Sequence, residues 1–213
     1  MLKIPFYQNT KDNTHCVQAA LKSVLKFHFP KKHYSFTYLD RVTAHKKGLW
    51  TWNSALLIFL ARMGFQVINI ENFNYKKFAQ AGEKYLQKTW SKEVFETQKK
   101  FSDFQNEQRL ARKLTFSKNI HMKQRPTTLR DLFVLFKKQY TILCGINPYV
   151  LDRQKGYAGH IVILITINKN SVTFHDPGLP PQKNRKVSLR LFFRAMGYPT
   201  KDSAALTAIK LKT

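Results

Sequence analysis

Apolar residues recur with helical spacing near the start of the chain. Asn13 or Thr14 is suited to cap the helix that this spacing predicts, and Pro30 ends it. Cys16 then falls in the first turn, where free backbone N–H groups and the positive end of the helix dipole favour a thiolate. The repeat follows positions i, i+3, i+4, i+7 and i+8 at Val17, Ala20, Leu21, Val24 and Leu25.

Helical patterns dominate the first part of the chain, and strand patterns cluster later. Ser35 is suited to cap a short second helix, and Thr128 with Asp131 forms a capping box for a later one. This order predicts an α+β fold, with N-terminal helices packed on a C-terminal antiparallel sheet. Further helices are predicted near 53–63 and 188–196, and strands near 65–70, 140–146 and 204–212.

Residues 71–125 differ from the rest in being rich in Lys, Gln and Glu, with aromatic residues at intervals. The pattern predicts two or three helices inserted into one domain that spans 1–213. Two interpretations stay open. The insertion is either a lid over a cleft or a solvated helical layer whose aromatic side chains pack on the core.

A β-hairpin is predicted over 159–177, with polar residues at 168–170 as its turn. His160 opens its first arm and Asp176 closes its second. Direct opposition of the two requires a pairing centred on Asn168, with a loop of 167–169 or 166–170. A two-residue turn at 169–170 would instead put them on opposite faces. A His–Asp pair therefore requires an odd-length loop or a β-bulge.

Composition narrows the class of protein. The chain has 213 residues, of which 43% are hydrophobic, so it has enough apolar residues for a sizeable core. No apolar run approaches the ~18 residues of a membrane span, and the first residues lack the pattern of a signal peptide. We expect the protein to lie in the cytoplasm, with its two cysteines as free thiols.

The formal net charge is +25, and it is spread evenly as +8, +9 and +8 over 1–70, 71–140 and 141–213. An even basic surface can bind acidic proteins or nucleic acid without specificity. No zinc-finger spacing, RNA-binding aromatic motif or basic zipper indicates dedicated nucleic-acid recognition.

The parts needed for nucleophilic thiol catalysis occur in the order donor, nucleophile, base, orienter. Cys16 is the candidate nucleophile, His160 the base and Asp176 the group that orients it. Gln8 is a candidate side-chain donor to the oxyanion. Two other histidines, His15 and His175, are less suited as the base, because their side chains are expected to diverge from Cys16 and Asp176 respectively.

This order resembles that of the papain-like cysteine peptidases, and most closely the double-glycine leader peptidases (family C thirty-nine) that process bacteriocin precursors, in their stand-alone form. The resemblance implies a papain-like fold, a catalytic set of Gln8, Cys16, His160 and Asp176, proteolysis through an acyl-enzyme, and no cofactor. The family usually has Asp-Cys-Gly at the nucleophile, whereas this chain has His-Cys-Val. The resemblance is carried by IPFYQ at 4–8, CVQAAL at 16–21, GHIV at 159–162 and HDP at 175–177.

Other interpretations of the same residues stay open. A free cysteine such as Cys16 is often a small buried hydrophobic residue, which is the interpretation that we adopt for Cys144. A zinc site built from Cys16, His15, His160 and His175 lacks the usual ligand spacing. The leading hypothesis is a hydrolase that acts on a peptide or acyl substrate. The alternatives are a papain-like acyltransferase and a non-catalytic basic module that binds acidic protein or nucleic acid.

Overall fold

The computed structural model describes residues 2–117 and 119–212 and has an α+β fold. Its helices are α1 (Cys16–His28), α2 (Phe36–Thr43), α3 (Asn53–Arg62), α4 (Tyr75–Ala81), α5 (Glu83–Thr89), α6 (Lys92–Phe101), α7 (Phe104–Thr115), α8 (Leu129–Lys137), α9 (Pro148–Leu151) and α10 (Leu189–Met196). Its strands are β1 (Phe65–Glu71), β2 (Ile120–Gln124), β3 (Thr141–Ile146), β4 (His160–Ile167), β5 (Ser171–Asp176), β6 (Gln182–Ser188) and β7 (Ala205–Leu211).

The seven strands form one open sheet in the order β2-β1-β7-β3-β4-β5-β6. The prediction of an antiparallel sheet is wrong in one pair, because β1 and β2 run parallel while the other neighbours are antiparallel. A parallel pair needs a long crossover, and α4–α7 supply it. The strand β7 lies in the middle of the sheet, between β1 and β3.

Helices cover both faces of the sheet, and this explains the almost unbroken apolar sequence of β4. On one face, Ile161, Ile163 and Ile165 join a core formed with α1, α2 and α3. On the other face, Val162 and Leu164 join a second core formed with α8 and α10. The N-terminal helices thus cover one face of the sheet, and α8 and α10, which were also predicted from the sequence, cover the other.

Residues 71–125 contain α4, α5, α6 and α7 and end in the edge strand β2. This is one helix more than the two or three predicted. Their aromatic residues pack into a separate cluster with Trp52, which precedes α3. Trp52 Nε1 donates to Gln98 Oε1 on α6 at 3.0 Å, and Trp50 donates its backbone N–H to the Phe101 carbonyl. The helical segment is thus attached to the chain that leads into α3.

The strand β6 runs antiparallel beside β5. The sequence pattern had predicted no strand there, only the end of the hairpin at Gly178. The predicted caps are confirmed at Ser35, whose side chain accepts from the Tyr38 N–H, and in the capping box of Thr128 with Asp131. The prediction of Asn13 or Thr14 as the cap of α1 is wrong, because His15 occupies that position and makes no side-chain capping bond.

Candidate active site

Cys16 is the first residue of α1, as predicted, and its side chain is partly exposed. Burial of the thiol raises its pKa, but three contacts more than offset this effect. His160 contributes a hydrogen bond and a positive charge, and the backbone N–H groups of Ile161 and Val17 also point at the sulfur. The net result is a Cys16 pKa below its ordinary value, which favours the thiolate.

His160 and Asp176 form a buried pair at the end of the hairpin. The distance from His160 Nε2 to Asp176 Oδ1 is 2.7 Å, and the two side chains are only 8% and 5% exposed. Burial lowers the pKa of His160, but its bonds to Asp176 and Cys16 have the larger combined effect and raise this pKa well above its ordinary value. Since Asp176 occupies Nε2, the other ring nitrogen, Nδ1, is the one that serves Cys16.

A β-bulge sets the relative position of this pair. Near the turn, Ile167 pairs with Val172, and this register alone would put His160 and Asp176 on opposite faces. The register shifts between Leu164 and Thr166, after which Ile163 pairs with His175. Both His160 and Asp176 are an odd number of residues from that pair, so they share a face.

The predicted register is therefore wrong in one respect and right in another. His160 and Asp176 are diagonal neighbours and do not stand directly opposite each other around a centre at Asn168. The turn spans the four residues 168–171, in place of the predicted three or five. With a turn of even length, a His–Asp pair on one face requires a β-bulge, and the bulge between Leu164 and Thr166 supplies it.

Asp176 has two further partners that fix its carboxylate. Its Oδ1 also accepts the Gly178 N–H at 3.0 Å, and its Oδ2 accepts from Arg185 Nη1 at 2.9 Å. Burial raises the pKa of Asp176, but His160, Arg185 and the Gly178 N–H together lower it to about 2. Arg185 also pairs with the exposed Asp152. Sequence reasoning missed Arg185 because it lies on β6, which was itself not predicted.

The two competing histidines have other roles. His175 Nε2 donates to the Ile4 carbonyl at 2.9 Å, and its Nδ1 accepts the Asn184 N–H at 3.2 Å, so the ring is neutral and fixed between two backbone segments. His15 is held by Asp12 and by the hydroxyls of Thr10 and Thr14. Neither ring contacts the His160–Asp176 pair through these bonds, in agreement with the expected divergence.

Gln8 and Cys144 complete the set of sequence candidates. The Gln8 side chain is exposed and is not among the residues that line the cavity beside Cys16. The structure brings together Cys16, His160 and Asp176, whereas the role of Gln8 as oxyanion donor stays a prediction. Cys144 is fully buried on β3, and burial raises its pKa strongly, as expected of an inert core thiol.

A cavity of about 670 Å³ opens beside Cys16 and His160. One wall comes from the helical segment, which contributes Phe73, Trp90 and Gln98. Gln98 Nε2 donates to Tyr157 Oη at 3.0 Å and so joins this wall to the loop before β4. The helical segment is thus part of the cleft itself, and its aromatic residues face both the cleft and their own core.

No protein-family model matches the chain, and a search of the curated proteins finds no match. None of the helices in 2–117 and 119–212 combines the length and the apolar character that crossing a bilayer requires.

Gly178 offers a test of how closely the His–Asp pair is packed. We expect Gly178→Ala to lower the alkylation rate of Cys16 at pH 6 by about 10-fold, because a small misplacement of a catalytic group is costly. The added Cβ would lie 3.0 Å from Asp176 Oδ1 and 3.3 Å from His160 Nε2. Iodoacetamide labelling read by intact mass measures the rate.

The matched control for this variant is Gly145→Ala, whose Cβ would meet its nearest neighbour, Ala205 Cβ, at 3.9 Å. We expect the control to keep the wild-type rate. Melting temperatures of both variants should stay within a few degrees of wild type. Equal rates for the two variants would contradict the close packing of Gly178 on the pair.

Proposed function

We propose that this protein is a papain-like cysteine hydrolase, a peptidase or amidase that acts through a covalent acyl-enzyme. The observation that carries the proposal is the continuous line of contacts from Asp176 through His160 to Cys16 at the wall of a large cavity. The three residues come from β5, β4 and α1, so their convergence is a product of the tertiary fold. The order along the chain is the one that the papain-like resemblance implies.

The charges of the three groups suit an attack on a carbonyl. The lowered pKa of Cys16 and the raised pKa of His160 favour a thiolate beside an imidazolium. The thiolate attacks the substrate carbonyl, and the imidazolium gives its proton to the leaving amine. The C–N bond then breaks and leaves a thioester on Cys16. His160, now neutral, takes a proton from water, whose attack on the thioester releases the acid and restores the thiolate beside the imidazolium.

The negative charge of the tetrahedral intermediate needs hydrogen-bond donors. The first-turn N–H groups of α1 are suited to this, because a helix leaves its first N–H groups without partners inside the helix. The helix dipole adds to the effect. Gln8 lies on the loop before α1, is exposed, and stays the candidate side-chain donor beside these backbone N–H groups.

The substrate class follows from the cavity. Its walls combine aromatic rings with polar groups such as Asn147 and Gln98, which suits a peptide or an acyl group attached to an amide.

Both cysteines are free thiols, as a thiol enzyme of the cytoplasm would have. The +25 net charge favours acidic partners in addition.

Capture of the acyl-enzyme tests the proposal directly. Purified protein is mixed with cell extract or a peptide library, quenched in acid and digested, and the Cys16 peptide is read by mass spectrometry. We expect a mass gain that neutral hydroxylamine removes, as for a thioester. Cys144 and a His160→Ala variant, incubated in parallel, should stay unmodified.

The outcomes separate the candidate functions. Product formed with water supports a hydrolase, whereas product that appears only with an added amine identifies an acyltransferase. If Cys16 gains no hydroxylamine-labile adduct and the protein instead binds acidic polymers, the non-catalytic interpretation replaces the proposal.

A further inference from the structure

Three side chains capable of binding a metal meet next to the start of α1. They are His15, Asp40 and His45, and one potential ligand atom from each lies within 4.8 Å of the other two. His15 Nε2 and Asp40 Oδ1 are 3.3 Å apart, and the rings of His15 and His45 have centroids 4.2 Å apart. None of the three is among the residues that line the cavity. The cluster therefore lies outside the lining of the cavity, although His15 directly precedes Cys16.

Local backbone geometry explains why these residues converge. The left-handed residue Ala44, with φ of 55°, ends α2. The His45 N–H then donates to the Asp40 carbonyl at 2.9 Å, in the pattern of a helix-ending Schellman turn. This turn folds His45 back over the last turn of α2, beside Asp40. On the other side, the His15 N–H donates to Asn9 Oδ1 at 2.7 Å, which fixes the residue that precedes α1.

Two of the converging atoms lack hydrogen bonds. Asp40 Oδ1 and His45 Nε2 are both buried, and neither has a hydrogen-bond partner within residues 2–117 and 119–212. The 3.3 Å contact from His15 Nε2 does not have hydrogen-bond geometry, so it leaves Asp40 Oδ1 unsatisfied. Buried polar atoms are rarely left without a partner, so two of them within one cluster are suited to bind a ligand there.

The outer contacts of the two rings match those of metal-bound histidines. His15 Nδ1 lies 2.6 Å from Thr10 Oγ1 and 3.2 Å from Asp12 Oδ1. His45 Nδ1 lies 2.9 Å from Thr51 Oγ1. In each ring Nδ1 is thus held by the protein, which leaves Nε2 to bind a ligand. His15 Nε2 lies beside Asp40, and His45 Nε2 has no hydrogen-bond partner within residues 2–117 and 119–212. This is the arrangement in which outer partners fix the orientation of metal ligands.

We propose that His15, Asp40 and His45 bind a divalent transition-metal ion of the Zn²⁺ class. Two imidazole nitrogens and one carboxylate suit Zn²⁺ and exclude a preference for Mg²⁺ or Ca²⁺, which favour oxygen. Bonds of about 2.1 Å in a tetrahedral site put ligands roughly 3.4 Å apart, close to the observed spacing of His15 and Asp40. Water serves as the fourth ligand, and the Asp40 side chain, 30% exposed, marks the route of entry.

The bound ion would join three segments: the loop before α1, the end of α2 and the chain that leads into α3. Since His15 directly precedes Cys16, it would brace the N-terminus of the helix that carries the thiol. The ion takes no part in the chemistry at Cys16. The expected effect of the ion is on folding stability, because an ion that binds only the folded state stabilises that state.

Titration with ZnCl₂ tests the site, and it is done on Cys16→Ala protein so that the reactive thiol does not compete. We expect one equivalent to bind. At about 100 times the dissociation constant, the melting temperature should rise by roughly 5–10 °C. Co²⁺ should give the visible bands of a tetrahedral nitrogen and oxygen site without a thiolate charge-transfer band.

Variants assign the ligands. His45→Ala and Asp40→Asn should weaken binding by more than about 100-fold, which exceeds the roughly 10- to 100-fold loss caused by removing an outer partner. His121→Ala, at an exposed histidine elsewhere, is the matched control and should bind as tightly as the parent. Melting in EDTA shows whether each variant folds without metal. No Zn²⁺-dependent shift in the parent protein, or equal shifts in all variants, would overturn the assignment.

Discussion

Replacing His160 by alanine is expected to lower the alkylation rate of Cys16 at pH 6 by about 100-fold. In the wild-type protein, His160 holds the Cys16 pKa below its ordinary value against the opposing effect of burial. Without the imidazolium, burial acts alone and raises this pKa. An ordinary thiol with a pKa of ~8.5 is only about 0.3% ionised at pH 6, which sets the size of the loss. Turnover should fall by about 10²- to 10⁴-fold as the acid–base group is lost.

The pH profile distinguishes this effect from a general loss of structure. The wild-type rate should change less from pH 6 to 8 than the rate of His160→Ala, because the lowered Cys16 pKa leaves more thiolate at pH 6. In His160→Ala the rate should rise by about tenfold per pH unit over the same range. Iodoacetamide labelling at a series of pH values, read by mass spectrometry, measures both curves.

The second cysteine of the same molecule serves as the internal control. Cys144 is fully buried with a raised pKa and should stay unlabelled in both proteins as long as they are folded. Labelling of Cys144 would reveal unfolding, and the Cys16 rate measured in that sample would be excluded. Equal reactivity of Cys16 in wild type and His160→Ala would remove the basis of the proposed mechanism.

Replacing Asp176 by asparagine is expected to lower turnover by about 10²- to 10³-fold. The change keeps the shape but removes the charge that stabilises the His160 imidazolium, so the pKa of His160 falls and that of Cys16 rises. It also removes one of the two carboxylates that pair with Arg185 among the described residues and leaves the exposed Asp152. Loss of one member of a buried ion pair is destabilising, and we expect a cost of about 2–3 kcal/mol in unfolding free energy.

The stability of this variant should also depend differently on pH. Because the folded-state pKa of Asp176 is lowered to about 2, its contacts stabilise the wild-type fold above the ordinary pKa of ~3.9 and are lost as pH falls towards 2. Asp176→Asn should lack this component of the acid sensitivity. Denaturant unfolding at pH 3 and pH 6 measures the difference between the two proteins.

Asp152→Asn is the matched control for Asp176→Asn, since both carboxylates bind Arg185 but Asp152 is 43% exposed. Exposed ion pairs contribute little, so the control should keep wild-type turnover and nearly wild-type stability. If the two variants lose turnover to the same degree, Asp176 acts only through Arg185 and is not the orienting group of His160.

The elements with a strong apolar period were predictable from the sequence. The helix α1 and the strand β4 bury most of their side chains, and their patterns gave both their type and their approximate ends. The strand β6 was missed because its residues, QKNRKVS, are mostly polar. It is one of the two edge strands of the sheet, where charged residues prevent further pairing, so no apolar alternation marks it.

The candidate site could be predicted in its residues but not in its geometry. The order of Cys16, His160 and Asp176 along the chain suggested their roles. The sequence indicated that a His–Asp pair needs a β-bulge or an odd-length loop. It did not indicate the place of the bulge between Leu164 and Thr166, because nothing in that apolar run marks where the register shifts. Exposure of Gln8 depends on how the loop before α1 packs, and a residue's place in the sequence does not determine this.

The central position of β7 has a consequence for when the thiol becomes reactive during synthesis. Cys16 leaves the ribosome early, but β7 joins β1 to β3 and is made long afterwards. Until then β1 and β3 have no common strand, so the His160–Asp176 pair reaches α1 only through the packing of β4 on that helix. We therefore expect a nascent chain to carry an ordinary thiol until β4 and β5 are made, and the activated thiol to be fully held in place only when β7 completes the sheet.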